Sequence, residues 1–389
     1  MNPESIKTEL AALTAAGLLR RPASADSCCG PRMILDGQPL LAFASNDYLG
    51  LAADPRLIEA AVAAAHRWGV GAGASHFLGG HFRPHQELET RLAAFVGAER
   101  ALCFATGYMA NLGLVPALAG RGDVIFADKL NHASLIDAVR LSPAFSHRYP
   151  HLDVAVLEGQ LTANRAKHRL ILTDAVFSMD GDIAPLPELL ALAERYDAWL
   201  VVDDAHGFGV LGPEGRGTLA HYGLKPTGRL LVMGTLGKAA GVAGAFVAGD
   251  NPVIEWLTQK ARTAMFTTAA PPMLAATLLT SLQLIETGDD RRAHLQSLIV
   301  RLRSGLAPLC ARTGWRMLPS TTPIQPLVIG ENHASVALAE ALKQRGIWVP
   351  AIRPPTVPEG LARLRISLSA LHTEAQVDRL LEALSDIAP

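Results

Sequence analysis

Lys238 lies in GTLGKAAG at 234–241, a loop with almost no side-chain volume that directly follows the short apolar run at 230–233. The run is bounded by Gly228 and Gly234 and is too short for a helix, so it reads as a buried strand. Gly237, Ala239, Ala240 and Gly241 let another body approach the backbone closely and put no carboxylate beside the ammonium. Desolvation in such a place lowers a lysine pKa. From a reference of about 10.4, a shift of several units turns a protonated amine into a nucleophile. A surface lysine in a flexible turn is the plain alternative, and the rest of the chain has to decide between them.

Chemistry-bearing residues also follow four other apolar runs. Thr106, Gly107 and Tyr108 follow 101–104, and Asp128, Asn131 and His132 follow 124–126. Asp174 and Ser178 follow 170–172, and Asp203, Asp204 and His206 follow 199–202. In an open α/β sheet the carboxyl ends of parallel strands face one crevice. Thr106, His132, Ser178, Asp203, His206, Thr235 and Lys238 are therefore expected together. Singly, each has an ordinary structural reading as a cap, a core histidine or a turn residue. As a set they mix hydroxyl, imidazole, carboxylate and amine, and no histidine pair has metal-ligand spacing within a strand or helix. That mix suits an organic cofactor better than a metal.

The elements that must position these groups follow from the same pattern. Ile6, Leu10, Leu13 and Leu18 predict an amphipathic helix over 5–21, then a break and a small hairpin at 33–35 and 40–44. A helix is predicted over 55–68. The glycine-dense GVGAGASHFLGG at 69–80 follows a helix and has the wrong spacing for a dinucleotide loop, so it is expected to line a site through its backbone. From about residue 100, short apolar runs alternate with helical stretches, which predicts a mostly parallel sheet covered by helices. Pro271-Pro272 opens a helix toward Glu286. A smaller α/β part follows, with helices over 291–309, 334–345 and 373–384 and strands over 324–329, 348–352 and 364–368. Arg353, held by Pro354 and Pro355 ahead of Thr356, suits bidentate recognition of a carboxylate, with a surface arginine as the alternative. The expected division is an N-terminal arm at 1–50, a large cofactor-binding domain at 51–272 and a small C-terminal domain at 273–389.

A chain of 389 residues with 49% hydrophobic content buries a large core. With 35 basic and 36 acidic residues its formal charge is -1, which favours neither nucleic acid nor an anionic membrane as partner. Cys28, Cys29, Cys103 and Cys310 show no CxxC spacing, so a reduced, cytoplasmic setting is expected. The opening MNPESIKTEL carries charges where a signal peptide needs an apolar core, and no apolar run reaches the roughly 18 residues of a membrane span.

The collected groups match the needs of pyridoxal 5'-phosphate. Lys238 supplies the amine for a Schiff base, Asp203 a carboxylate for the pyridine nitrogen, and His132 a flat ring to stack on the cofactor. Gly107 and Tyr108, at a helix start, offer backbone N–H groups to the phosphate, with Ser178 and Thr235 as hydroxyl partners.

The chain also resembles a known family along nearly its whole length. SNDYLGL at 45–51, HxxLE at 85–89, TGYMAN at 106–111, NHASLIDA at 131–138, FSMDGDIAPL at 177–186, VVDDAHGFGVLG at 201–212 and GTLGKAAG together resemble the α-oxoamine synthases. These are pyridoxal phosphate acyltransferases of the aspartate-aminotransferase-like fold, which has a large domain with a mostly parallel sheet and a smaller C-terminal α/β domain. The resemblance implies that Lys238 holds the cofactor and then acts as a base, and that His206 hydrogen-bonds the cofactor's phenolic oxygen. It implies that His132 also faces the substrate, that Arg353 holds the substrate carboxylate with Thr356 close by, and that Arg20 matches an arginine contacting substrate. It further implies a homodimer with sites at the interface, where Thr267 and Thr268 serve the phosphate of the partner subunit. TPIQPLVIG at 322–330 and AIRPPTVPEGLARLRISLSALHT at 351–373 resemble the member that joins L-alanine to a pimeloyl thioester, on CoA or an acyl carrier protein, in biotin synthesis. GTLGKA also occurs in the family's 2-amino-3-ketobutyrate CoA ligases, which use glycine and acetyl-CoA and are the alternative. Two departures stand out: Thr106 where the family has Ser, and Asp174 where it has Glu. The first keeps the hydroxyl; the second shortens a carboxylate.

Overall fold

The structure, a computed structural model, describes residues 2–19 and 22–388. Its chain forms two compact units, Leu49–Ser178 with Ile183–Arg292, and Met1–Tyr48 with Met179–Asp182 and Ala293–Pro389. Among the described residues, no helix is long and apolar enough to cross a membrane.

The first unit is organised by a seven-stranded sheet. In chain order its strands are β1 (Arg100–Phe104), β2 (Val124–Asp128), β3 (Phe145–Tyr149), β4 (Arg169–Asp174), β5 (Ala198–Asp203), β6 (Leu230–Thr235) and β7 (Ala245–Gly249). Their order across the sheet is β1-β7-β6-β5-β4-β2-β3. The neighbours from β6 to β3 pair in parallel, whereas β7 is antiparallel to both β6 and β1, so β1 points the same way as the parallel strands. All five apolar runs read as strands thus end at one edge. The sheet forms because these runs are apolar on both faces, as strands covered on two sides require. Ile125, Leu172 and Val201 pack in one core with Leu114 and Leu135 from the helices Gly107–Leu118 and Ala133–Leu141. The resulting register places Asp174 beside Asp203, and Asp203 beside Met233. The helix Pro272–Glu286 packs on Pro55–Trp68 and Arg83–Val96 in this same unit.

The second unit carries two small sheets. Arg32–Leu35 and Gln38–Ala42 form the expected hairpin, and Ile347–Trp348 joins it in parallel. In the other sheet Ile324–Gly330 and Ala351–Ile352 flank Ala362–Ser367, all antiparallel. The single strand expected over 348–352 is therefore two short ones, in different sheets, divided at Pro350, which has no N–H for a ladder. The N-terminal helix is Pro3–Ala15 and stops short of the predicted end at residue 21; Arg20 itself lies outside the described residues.

Candidate active site

A cavity of about 190 Å³ opens where the strands end, lined by Gly107, Tyr108, His132, Ser178, Asp203, His206, Thr235 and Lys238. Seven of these sit just past or at the end of β1, β2, β4, β5 or β6, and Lys238 is three residues beyond β6. Lys238 is half-buried, and its Nζ lies 2.8 Å from Nε2 of the buried His206. The small residues around it serve a local purpose. At Gly241, with φ of +71°, a Cβ would come 2.7 Å from the backbone nitrogen of Ala52, and Ser281 Oγ donates to the Ala240 carbonyl at 2.7 Å. The body that approaches the lysine loop is this unit's own backbone at 51–52.

Thr106 does not line the cavity; it caps the adjoining helix, its Oγ1 accepting the Met109 N–H at 3.1 Å. That leaves the Gly107 and Tyr108 N–H groups at the start of a helix of 12 residues, an arrangement suited to an anion. The Tyr108 hydroxyl donates to the Asp137 carboxylate. His132 caps the next helix, and its backbone N–H donates to the Asp174 carboxylate at 3.1 and 3.3 Å. Burial in the first place, and then the neighbouring Asp203 charge, push the Asp174 carboxyl well above the usual range. Burial pushes His132 down, against the opposing pull of Asp203. Asp203 Oδ1 accepts the Ala205 N–H at 3.0 Å and Oδ2 accepts an Asn111 amide hydrogen at 2.8 Å.

Asn111 and Ser134 are members of this arrangement that strand-end reasoning did not single out. Both stood in quoted motifs, TGYMAN and NHASLIDA, yet each lies inside a helix and not at a strand end. Other expected site residues fall elsewhere. Thr267 and Thr268 line a separate, mostly apolar recess of the same unit with His76, His85 and Leu274. Arg353 and Thr356 belong to the second unit, where Arg353 Nη1 donates to the Gly17 carbonyl and the Thr356 N–H donates to the Arg353 carbonyl at 3.1 Å.

The described residues also gather three histidines that spacing within helices and strands did not reveal. The ligating nitrogens of His76, His81 and His85 lie within 4.8 Å of one another. His85, however, spends both ring nitrogens on the backbone: Nδ1 accepts the Phe82 N–H at 3.0 Å and Nε2 lies 2.8 Å from the Ala270 carbonyl oxygen. The trio reads as a packed polar cluster.

The donor set at the strand ends fits pyridoxal phosphate. It offers an amine, a buried carboxylate, a flat imidazole and a helix N-terminus around one cavity, and a Cβ at Gly107 would occupy the space beside that helix start, 3.8 Å from Thr235 Oγ1.

Comparison with known proteins agrees. Residues 38–384 match the family described as aminotransferase class I and II. The chain is 65% identical over 385 residues to the 8-amino-7-oxononanoate synthase of Herminiimonas arsenicoxydans, covering 98% of each chain. Among solved structures, a serine palmitoyltransferase from S. paucimobilis with bound pyridoxal phosphate and myriocin aligns with a TM-score of 0.91 at 31% identity, over 98% of this chain and 96% of that one. The 8-amino-7-oxononanoate synthase of Francisella tularensis aligns with a TM-score of 0.77 at 32% identity, over 89% of this chain and 97% of that one. The chain therefore belongs to the 8-amino-7-oxononanoate synthases, within the class I and II aminotransferase family of pyridoxal phosphate enzymes.

Proposed function

We propose that this chain condenses L-alanine with a pimeloyl thioester to give 8-amino-7-oxononanoate, carbon dioxide and free thiol, in the cytoplasm and as a homodimer. The observation that carries the reading is the Lys238–His206 contact at 2.8 Å, in the cavity that Asp203 and His132 also line. Bound pyridoxal phosphate supplies a carbonyl to which the amino acid attaches and an electron sink for the carbanion at its α-carbon. Lys238 Nζ would hold the cofactor and then accept the α-proton, with His206 fixing the position of the amine. The Asp203 carboxylate would hold a proton on the pyridine nitrogen, and the His132 ring would offer the cofactor a flat face and meet the substrate. Gly107 and Tyr108 N–H groups, with the Ser178 and Thr235 hydroxyls, take the phosphate.

Arg353 binds a substrate carboxylate bidentately, with Thr356 beside it. Arg20 contributes a further substrate contact. Thr267 and Thr268, away from this chain's own cavity, serve the phosphate of the partner subunit. The name of the relatives supports alanine and a pimeloyl thioester over glycine and acetyl-CoA.

Incubation with L-alanine and either pimeloyl-CoA or pimeloyl-acyl carrier protein should release thiol and give a product of the mass of 8-amino-7-oxononanoate; comparing the two identifies the natural donor. Faster turnover of glycine with acetyl-CoA would reject the reading. In Lys238→Ala the absorbance of covalently held cofactor should vanish and turnover should fall by at least about a hundredfold.

A further inference from the structure

Asn111 is fully buried, and both hydrogens of its amide are committed. Nδ2 donates to Asp203 Oδ2 at 2.8 Å and to Ser134 Oγ at 2.9 Å. Its Oδ1 is buried without a hydrogen-bond partner among the described residues. A buried acceptor left without a partner carries its full desolvation cost. Turning the amide over would not remove that cost, because it would set Oδ1 against the Asp203 carboxylate. The orientation is therefore fixed by the carboxylate.

Ser134 is buried, and its Oγ lies 2.7 Å from His132 Nδ1. With Asn111 donating to that Oγ, the single hydroxyl hydrogen is free to point at the ring. The Ser134 backbone N–H also donates to Nδ1, at 3.2 Å. A nitrogen that accepts from two donors carries no proton, so a neutral His132 ring bears its hydrogen on Nε2.

We propose that Asn111 is a positioning residue which, through one amide, both aligns the Asp203 carboxylate and holds His132 as its Nε2–H tautomer by way of Ser134. Burial disfavours protonation of the ring; the Asp203 charge opposes this and the Lys238 charge, in smaller measure, adds to it, so the net push is downward and keeps the neutral form that a tautomer requires. The functional consequence rests on the cofactor contacts proposed for Asp203 and His132. Asp203 and His132 are thereby coupled: losing Asn111 loosens the carboxylate and the imidazole together, whereas losing the Ser134 hydroxyl loosens only the imidazole.

The test is ring-nitrogen NMR of the full chain labelled with 15N-histidine, with the His132 signals assigned from His132→Gln. In the wild type, with and without pyridoxal phosphate, Nδ1 should give an unprotonated and Nε2 a protonated shift. Ser134→Ala, which leaves Nδ1 only the longer backbone N–H contact at 3.2 Å, and Asn111→Leu should move both shifts partway toward exchange between tautomers, and Ser134→Thr, which retains the hydroxyl, should restore them. Loaded with cofactor, Asn111→Leu should also shift the pH titration of the visible band, because the group facing the pyridine nitrogen is disturbed; Ser134→Ala should shift it less. Turnover should fall about 10- to 100-fold in either variant, with KM nearly unchanged, as when outer partners of a functional histidine are removed. A protonated Nδ1 in the wild type overturns the proposal. So do unchanged His132 shifts in folded Ser134→Ala, a result that decides the matter even if Asn111→Leu does not fold. The ring shifts are read without substrate, so they stand apart from the success or failure of the synthase assay.

Discussion

Glu89 carries a carboxyl that the active-site chemistry does not use. Its Oε1 accepts the Cys103 N–H at 2.9 Å, yet burial dominates and pushes the group up from 4.5 to about 7. A carboxyl raised in the folded state stabilises the fold fully below its unfolded value, and that contribution is lost as pH rises through the folded value. The window here runs from about pH 4.5 to 7, and the whole effect is on the order of 3 kcal/mol. Glu89→Gln keeps the acceptor oxygen and removes the titration. Its urea midpoint should be close to that of the wild type at pH 5 and clearly higher at pH 8.5; a difference that stays flat across this range would contradict the assignment. Glu89 was visible in HxxLE but had no chemical role to infer, because what matters about it is burial, which a motif does not state. Lys238, Asp203, His132 and His206 were readable for the opposite reason. Each follows an apolar run, and the topology of a parallel sheet turns that position into a place in space.

Among elements, the strands that were missed are those whose pattern is weak or masked. Phe145–Tyr149 reads FSHRY and is mostly exposed at the sheet edge, so it lacks the apolar run that marks its neighbours. Ala245–Gly249 is fully buried, but its small residues merge with the lysine loop before it. The stretch FSMDGDIAPL pointed to the cofactor through Ser178, and the structure gives its centre a different duty. Met179–Asp182 belongs to the second unit, where the Gly181 carbonyl accepts from Ser320 Oγ at 2.8 Å and Thr322 Oγ1 at 3.0 Å. Gly181 has φ of +73°, and a Cβ there would lie 2.4 Å from the Ile324 carbonyl oxygen. Backbone strain and the clash act in the same direction, so Gly181→Ala should destabilise by about 2–4 kcal/mol. Chemical denaturation measures it, and a loss below about 0.5 kcal/mol would show that the tetrapeptide is not held as described.

For the molecule as a whole, continuity along the chain and continuity of the fold differ, and this is what composition and periodicity do not reveal. The second unit takes most of its length from residues after Ala293 but completes its interior with two earlier segments. The buried Arg363 guanidinium donates to the Asp180 carboxylate at 2.5 Å and to the Met179 carbonyl at 3.0 Å. The buried Arg365 reaches Asn46 Oδ1 at 3.2 Å, and Ser369 Oγ donates to the Asp47 carbonyl at 2.7 Å. His372 stacks on Phe43, with ring centroids 4.4 Å apart, and its Nε2 lies 2.9 Å from the Ala42 carbonyl oxygen. Among the described residues, Ile347–Trp348 pairs in its sheet with Gln38–Ala42 alone. A fragment spanning residues 293–389 therefore loses a strand partner, an aromatic neighbour and the counter-charge of a buried arginine. Leaving such a charge unpaired costs about 3–5 kcal/mol, against a typical domain stability of about 5–15 kcal/mol. The other losses add to it. The isolated fragment should accordingly show poor amide dispersion by NMR and no sigmoidal urea transition, while the full chain unfolds cooperatively. A well-dispersed spectrum and a sharp transition from the fragment would mean that the earlier segments decorate this unit and do not complete it.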